Sequence, residues 1–267
     1  MDKGEEMPTN TVTVVAENHL SLLGESISTS AHRHAFLHLI ISRTHQPITI
    51  NIEENSIVSK AILINSKVMH TISLVRQPFW LILINHTSSL AYCLQHQYLP
   101  ENKSFSCFSN FISDALSFNA RNLQNGTLNV SHYNRKWEKL LAILAINHCY
   151  LPHDISDQRI QQVLTTISLA NELPVQQDSL LEDVYLSKSR LSHLFTDITG
   201  SSLKNYLLFQ RLMRALWLIS QGNRITDAAL QCGFDSPSHL SATCRKLMGI
   251  KPSFAKYVSQ FLKVTEE

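Results

Sequence analysis

Residues 187–200, SKSRLSHLFTDITG, and residues 236–249, SPSHLSATCRKLMG, are the repeated stretch that decides the fold of the C-terminal part of the chain. Each copy begins with Ser, continues with Leu-Ser four and five residues later, and ends with Gly thirteen residues after the first Ser. An internal repeat indicates one structural unit used twice, so it constrains the architecture before any local prediction is made.

Each copy has the signals of one helix with both ends marked. Ser187 and Ser236 are suited to accept hydrogen bonds from the free N–H groups of a first helical turn. Pro237 occupies the first helical position, where the missing N–H costs nothing. Gly200 and Gly249 follow the last turn, where a left-handed residue commonly ends a helix.

A shorter helix is predicted before each copy, over residues 180–184 and 226–232. The connection in the second copy contains Gly233 and Phe234, and a short turn between two helices is what a helix-turn-helix needs. Such a unit places its second helix in the major groove of DNA. Two ordinary helical hairpins in a bundle are the alternative, but matched spacing, caps and polar outer faces favour DNA binding.

Residues 157–261 resemble the DNA-binding domain of a known family, the AraC/XylS transcription regulators. The resemblance is carried by Ser187, Leu191, Ser192, Leu194, Phe195 and Gly200 in the first unit, Tyr206, Arg211 and Ala215 in the connecting helix, and Ile225, Ala229, Gly233, Phe234, Ser236, His239, Leu240, Ser241, Gly249, Pro252 and Phe254 in the second. It implies a regulator that is not an enzyme, binds double-stranded DNA and contacts RNA polymerase, whether as an activator or a repressor.

The same resemblance identifies the expected DNA contacts. Four polar residues of the first motif match base-reading positions, and several basic residues are expected to meet phosphates. The predicted DNA-binding set is Lys188, Ser189, Arg190, Ser192, His193, Arg211, Ser238, His239, Ser241, Arg245 and Lys246.

This chain departs from the family pattern at four positions. Leu181 and Tyr185 stand where Ala and Gly are usual, so the first turn is expected to be built differently, since a bulky residue in a left-handed turn costs roughly 1–2 kcal/mol. Cys244 replaces a usual Phe, and Ala242 stands where a long base-reading side chain is common. The second helix is therefore expected to read DNA weakly, mainly through phosphates and shape.

Length and charge limit the function further. A chain of 267 residues suggests two domains, and its net charge is only +2. Residues 157–267 hold 12 Lys+Arg and 10 Asp+Glu, a net +2, which predicts few phosphate contacts. Five widely spaced Cys favour a reducing cytoplasm, and no apolar run is long enough for a membrane helix.

The predicted fold class is α+β with two domains: an N-terminal cupin-like β-barrel with two appended helices, and a C-terminal all-α double helix-turn-helix. The predicted boundaries are a flexible N-terminus at 1–20, a sensory and dimerisation domain at 21–150, a linker at 151–156 and the DNA-binding domain at 157–267. We expect the last of these to have its own core and to fold alone.

Short apolar or β-branched runs predict the strands of the N-terminal domain, at 48–52, 61–64, 69–75, 79–84 and 90–94. Apolar faces predict its two helices over 105–116 and 137–145, which would either cover the barrel or form the seam of a homodimer. In the C-terminal domain, long helices are predicted over 157–172 and 203–220, and a last helix over 252–261.

Four histidines in the N-terminal half have nearly the spacing of cupin metal ligands: His32, His34, His38 and His70. We expect them to line the pocket of a small-molecule effector, with no metal or other cofactor, because sensory barrels of the resembled family generally lack one. Two alternatives stay open. One is a metal-dependent cupin enzyme such as an oxygenase or isomerase, and the other is pH sensing by histidines that charge near pH 6.

Overall fold

A computed structural model describes residues 11–16, 18–86, 88–108, 125, 127–146, 157–169, 178–182, 184–199 and 202–264. The strands are β1 (Thr11–Val15), β2 (His19–Gly24), β3 (Ile27–Ser28), β4 (Leu37–Ser42), β5 (Ile48–Ile52), β6 (Asn55–Ser59), β7 (Ala61–Ile64), β8 (His70–Leu74), β9 (Phe79–Ile84), β10 (Phe105–Phe108) and β11 (Val258–Lys263). The α-helices are α1 (Ser89–Tyr98), α2 (Val130–Ile143), α3 (Gln158–Leu169), α4 (Ser179–Glu182), α5 (Lys188–Thr199), α6 (Leu203–Ser220), α7 (Ile225–Gln231) and α8 (Pro237–Met248), and 3-10 turns cover Pro100–Asn102 and Pro252–Tyr257.

Two sheets form the N-terminal domain. The larger has the strand order β10-β7-β4-β9-β2-β1-β11, and the smaller has the order β3-β8-β5-β6. The α+β class and the four strand predictions from 48–52 to 79–84 are confirmed. Over the described residues the strands form two separate sheets, and the cupin-like closure of the barrel is not seen.

The central strands of the larger sheet are buried on both faces, which explains why most of their positions are apolar. In β4, Ile40 packs with Ile50 and Ile72 of the smaller sheet. Its neighbour Leu39 points to the opposite face, where it joins the apolar residues of α1 and α2. Successive side chains of a strand alternate between faces, so a continuous apolar run fits a strand covered on both sides.

The helix α2 covers this sheet. Its apolar residues Tyr133, Leu140 and Leu141 are buried in the same core as Trp80 of β9. The sequence left two roles open for the predicted helices, covering the barrel or forming the seam of a homodimer. The structure shows that the apolar face of α2 packs on the larger sheet of the same chain.

The prediction of a flexible segment at 1–20 is wrong from Thr11 onward. β1 and the first two residues of β2 fall in this range, and both strands are completely buried, with TVTVV and HLSLLG pairing antiparallel. β-branched residues favour a pleated, covered position, and here the covering layers are supplied by the rest of the domain. Residues 1–10 and the predicted linker at 151–156 lie outside the described residues.

Two short apolar segments of the N-terminal domain differ from the prediction, since one predicted strand is helical and the start of one predicted helix is a strand. Residues 90–94, predicted as a strand, belong to α1, because Ser88 caps a helix by accepting from the Ala91 N–H at 3.2 Å. Phe105–Phe108, predicted as the start of a helix, is the edge strand β10 paired with β7. The rest of that predicted helix lies outside the described residues.

The C-terminal domain is not all-α. The predicted last helix is a 3-10 turn followed by β11, which pairs in parallel with β1 from Thr11↔Val258 to Val15↔Lys263. A short segment that contains β-branched and aromatic residues is stable as a strand when a free sheet edge is available to pair with it. That edge comes from the other end of the chain.

The two helix-turn-helix units differ in their cores. The first unit packs with α3 and the start of α6 in a cluster that includes Ile160, Leu191, Phe195 and Leu203. The second unit and the rest of α6 share one continuous core with the two sheets. With β11 in the larger sheet as well, the expectation of a self-contained C-terminal core is wrong.

No helix in the described part of the chain combines the length and the apolar character needed to cross a membrane.

Candidate nucleic-acid interface

The first recognition helix is α5, and the short helix before it is α4. Ser187 caps α5 as predicted, since its Oγ accepts from the Arg190 N–H at 3.3 Å. Leu191 and Phe195 are buried beneath the helix. The predicted DNA contacts of this helix are all exposed: Lys188, Ser189, Arg190, Ser192 and His193. They therefore form a polar outer surface on a helix held from below by its apolar residues.

The second recognition helix is α8, and its ends match the sequence prediction closely. Ser236 accepts from the His239 N–H at 3.1 Å, and Pro237 follows at the first helical position. Gly249 ends the helix in the left-handed conformation with φ +74°, and its N–H donates to the Arg245 carbonyl at 2.9 Å. The caps fix the length of α8 to the segment that carries the predicted contacts.

The outer surface of α8 is less suited to base reading than that of α5. Ser238, Arg245 and Lys246 are exposed, whereas Ser241 is half-buried. The ring of His239 is turned back toward the preceding turn: Nδ1 lies 2.9 Å from Asp235 Oδ2, and the ring packs edge-on against Phe234. Ala242 adds only a small side chain to this surface, and the role of α8 in phosphate contact stays a prediction.

The turns of the two units have the same left-handed backbone despite the sequence difference. Gly233 has φ +72°, and Tyr185, in the corresponding position of the first unit, has φ +51°. The expectation that Tyr185 changes the turn is therefore wrong. Its side chain is 94% exposed, so little apolar burial offsets the backbone cost.

Arg211 differs from the other predicted DNA contacts. It lies on α6, which joins the two units, and its side chain is half-buried. Its Nε is buried and has no hydrogen-bond partner among the residues that the structure describes. These features set Arg211 apart from the exposed surfaces of α5 and α8.

The four predicted effector-pocket residues are brought together, and we call them the histidine cluster (His32, His34, His38 and His70). One ring nitrogen from each lies within 4.8 Å of those from the others. His38 is on β4, His70 begins β8, and His32 pairs with His70 through two backbone hydrogen bonds of 3.0 Å. Three of the four side chains are buried, and His32 is half-buried.

Burial of the histidine cluster does not favour sensing by histidines that charge near pH 6 in the folded chain. Desolvation, with smaller contributions from neighbouring histidines, lowers the pKa of His34 to about 2 and that of His70 to about 4. Desolvation also holds the pKa of His38 well below its ordinary value. These three imidazoles stay neutral around pH 6 in the folded chain.

The sequence did not predict the contact between this cluster and α8. Gly249 lies so close to His32 that a β-carbon built on it would be 2.6 Å from His32 Nε2. The Ala35 N–H, in the loop that carries His34, donates to the Lys246 carbonyl at 3.4 Å. The end of the second recognition helix therefore rests on the histidines, and sequence separation hides this contact.

Comparison with known proteins agrees with the geometry. Residues 180–256 match a family model described as a helix-turn-helix domain. The chain is 33% identical over 95 residues to the HTH-type transcriptional regulator GbdR of Pseudomonas aeruginosa (strain UCBPP-PA14), covering 35% of this chain and 26% of that protein. It is 26% identical over 128 residues to the HTH-type transcriptional activator RhaR of Pectobacterium carotovorum subsp. carotovorum (strain PC1), covering 46% and 44%. The chain thus spans less than half the length of these curated relatives.

Two solved structures are also similar to this chain. One is a transcriptional regulator with an AraC-type DNA-binding domain from Chromobacterium violaceum, with 28% identity, 38% of this chain and 91% of that chain covered, and a TM-score of 0.35. The other is ToxT from Vibrio cholerae O395, with 14% identity, 91% and 98% covered, and a TM-score of 0.49. In its C-terminal part, this chain is therefore similar in sequence to HTH-type transcriptional regulators.

Proposed function

We propose that the protein is a sequence-specific transcription regulator that binds double-stranded DNA through α5 and α8. The observation that carries this proposal is the presence of two capped recognition helices on one chain, each with an apolar side in a core and a polar side toward solvent. A helix of this kind fits the major groove, where base edges carry a distinct pattern of donors and acceptors.

The connecting helix sets the spacing of the two contacts. The 18 residues of α6 span roughly 27 Å at 1.5 Å per residue. One end of α6 packs with the first unit and the other with the second, so it acts as a rigid spacer. In this proposal α5 reads bases through Lys188, Ser189, Ser192 and His193, while α8 contributes phosphate contacts from Arg245 and Lys246.

The N-terminal domain is assigned a regulatory role. It shares a core with the second unit, so a change in one affects the packing of the other. We also propose the partners that the family resemblance implies: a small-molecule effector, a second copy of the chain joined through the N-terminal helices, and RNA polymerase in the cytoplasm. We further propose that the two-sheet N-terminal domain is cupin-like.

A cupin-type enzyme is the weaker candidate. The cluster that gathers in the described residues consists of imidazoles only, whereas acid–base chemistry would need a nearby group of suitable pKa. Glu53 is exposed and accepts a hydrogen bond from Ser104 Oγ at 3.2 Å. Neither the imidazole cluster nor Glu53 would explain why the chain carries two helix-turn-helix units.

Selection of bound sequences from random double-stranded DNA tests the proposal. The full chain is the right protein to use, because β11 and the second unit are part of the N-terminal packing. We expect enrichment of an asymmetric site with two unlike halves. The Ser189→Ala/His193→Ala variant should lose the preference at the first half, and the exposed His96→Gln variant should keep it. No enriched sequence with a folded, soluble chain would overturn the proposal.

A further inference from the structure

The histidine cluster has the composition and the geometry of a metal site. Ring centroids are 4.4 Å apart for His32 and His70, for His34 and His38, and for His38 and His70. A tetrahedral ion with metal–nitrogen distances of about 2.0–2.1 Å requires nitrogen atoms about 3.4 Å apart. Ligand atoms already within 4.8 Å reach that spacing through small side-chain rotations.

Backbone carbonyls orient two of the four rings for coordination. Nδ1 of His32 lies 2.7 Å from the Ser30 carbonyl, and Nδ1 of His70 lies 2.9 Å from the Val68 carbonyl. A carbonyl oxygen only accepts, so each Nδ1 carries the hydrogen and each Nε2 has a lone pair. A hydrogen bond of this kind from the second ring nitrogen is the usual support of a metal-binding histidine.

The remaining donors are buried with unmet bonding capacity. Within the described residues, both ring nitrogens of His34, Nδ1 of His38 and Nε2 of His70 have no hydrogen-bond partner. His34 is 4% exposed and His38 is 1% exposed, so neither ring has ready access to solvent. Buried polar atoms are normally satisfied, and neutral imidazoles that lack a partner are suited to a cation.

The donor set selects the class of ion. Ca²⁺ and Mg²⁺ prefer oxygen ligands, whereas imidazole suits zinc and its neighbours in the first transition row. Four protein ligands complete a tetrahedron and leave no position for a substrate, which is the pattern of a closed site rather than a catalytic one.

The position of the cluster suggests what the ion does. Gly249 and the Lys246 carbonyl, at the C-terminal end of α8, contact the histidine-bearing loop. The C-terminal end of a helix carries partial negative charge, which favours a cation nearby. We propose that His32, His34, His38 and His70 bind one Zn²⁺ or a similar divalent transition-metal ion, and that this ion links the end of the second recognition helix to the N-terminal domain.

A metal ion at these histidines differs from the sequence-based expectation of no metal, and its consequence for DNA binding rests on the proposed function. The outer face of α8 stays exposed while its end rests on the cluster, so the linked arrangement is compatible with DNA. Metal binding should then order α8 and raise DNA affinity. Because such coupling is reciprocal, DNA should tighten metal binding by the same factor.

Metal binding is tested first, with the full chain and no DNA. Equilibrium dialysis should show one high-affinity Zn²⁺ per chain, and Co²⁺ should produce the strong visible bands of tetrahedral coordination. His34→Leu and His38→Gln should each lose the bands and the high-affinity site. His96→Gln, which changes an exposed histidine outside the cluster, should keep both, and far-ultraviolet circular dichroism confirms folding. Absence of a high-affinity site in the folded wild-type chain would overturn the inference.

Coupling is tested by fluorescence anisotropy on the selected DNA site, comparing the Zn²⁺-loaded and chelated chain. We expect chelation to weaken binding by roughly 5–150-fold, and the effect should vanish in His34→Leu. Equal affinity in both states, with the ion shown to bind, would overturn the linking role. If the wild-type chain shows the Co²⁺ bands but no sequence-specific DNA binding, the proposed function is overturned, whereas the metal site is still supported.

Discussion

Gly249 and His32 are in direct contact, although one ends the second recognition helix and the other lies in the N-terminal domain. A β-carbon on Gly249 would approach His32 Nε2 to 2.6 Å and His34 Cδ2 to the same distance. Glycine is therefore required here for two reasons: a left-handed φ of +74°, and backbone packing against two imidazole rings. The helix cap predicted from sequence is also an interdomain contact.

The first prediction separates these two reasons. Gly249→Ala should lower the free energy of unfolding by about 2–4 kcal/mol, because overpacking adds to the left-handed strain. Gly222→Ala is the matched control, since Gly222 has φ +92° but nothing within 4 Å of the new β-carbon; it should cost about 1 kcal/mol. Urea denaturation of the two variants measures the difference, and equal costs would contradict the interdomain packing.

The second prediction concerns acid stability through His19. This ring is buried, lies 2.6 Å from the Tyr133 hydroxyl through Nε2, and stacks on Trp137. Desolvation lowers its pKa from 6.5 to about 3. Between these values the unfolded chain binds a proton that the folded chain excludes, so stability falls as pH falls from 6.5 toward 3.

The size of this effect is about 1.4 kcal/mol per pH unit for one group. His19→Gln should therefore show a shallower loss of unfolding free energy between pH 6.5 and pH 4.5 than the wild type. Comparing the two slopes by denaturant titration isolates His19 from other histidines, whose contributions are common to both. Parallel slopes would show that His19 does not carry this dependence.

The third prediction distinguishes two residues of the first recognition helix. His193→Ala should relax the preference at one base pair, with a change of about 1–3 kcal/mol. Arg190→Ala should weaken binding to all sequences and reduce the salt slope by about 1. Anisotropy titrations at several salt concentrations on matched and mismatched sites provide both quantities. A uniform loss on every site for His193→Ala would remove it from the base-reading set.

The fourth prediction follows from the left-handed backbone of Tyr185. Replacing it with glycine, as found in the second unit at Gly233, removes a steric cost and very little buried surface. Tyr185→Gly should stabilise the chain by about 1 kcal/mol. A melting temperature that falls, with DNA binding unchanged, would show that the exposed ring makes a stabilising contribution to the folded chain.

The fifth prediction concerns the spacing of the DNA site. Two recognition helices joined by α6 should enter successive major grooves on one face of the duplex, roughly 34–36 Å or 10–10.5 base pairs apart. Insertion of half a helical turn between the two half-sites should cost most of the specific affinity. Unchanged binding in a competition assay would mean that only the first half is read and that α8 merely contacts phosphates.

The sequence by itself determined the local structure of the DNA-binding part. Ser187, Ser236, Pro237 and Gly249 mark helix ends through interactions within a few residues, so their effect is visible in the sequence. The bounds of α6, Leu203–Ser220, agree with the predicted range for the same reason. Alternation of apolar residues likewise predicted β5.

Only the tertiary structure decided the segments whose partners are distant. The apolar residues of Val258–Lys263 do not alternate and predict a helix as well as a strand, and pairing with β1 selects the strand. The spacing of His32, His34, His38 and His70 suggested a shared site, but their contact with Gly249 depends on how the second unit packs on the sheets. Caps and periodicity act over a few residues, whereas sheet pairing and interdomain packing depend on surfaces that exist only after the chain has folded.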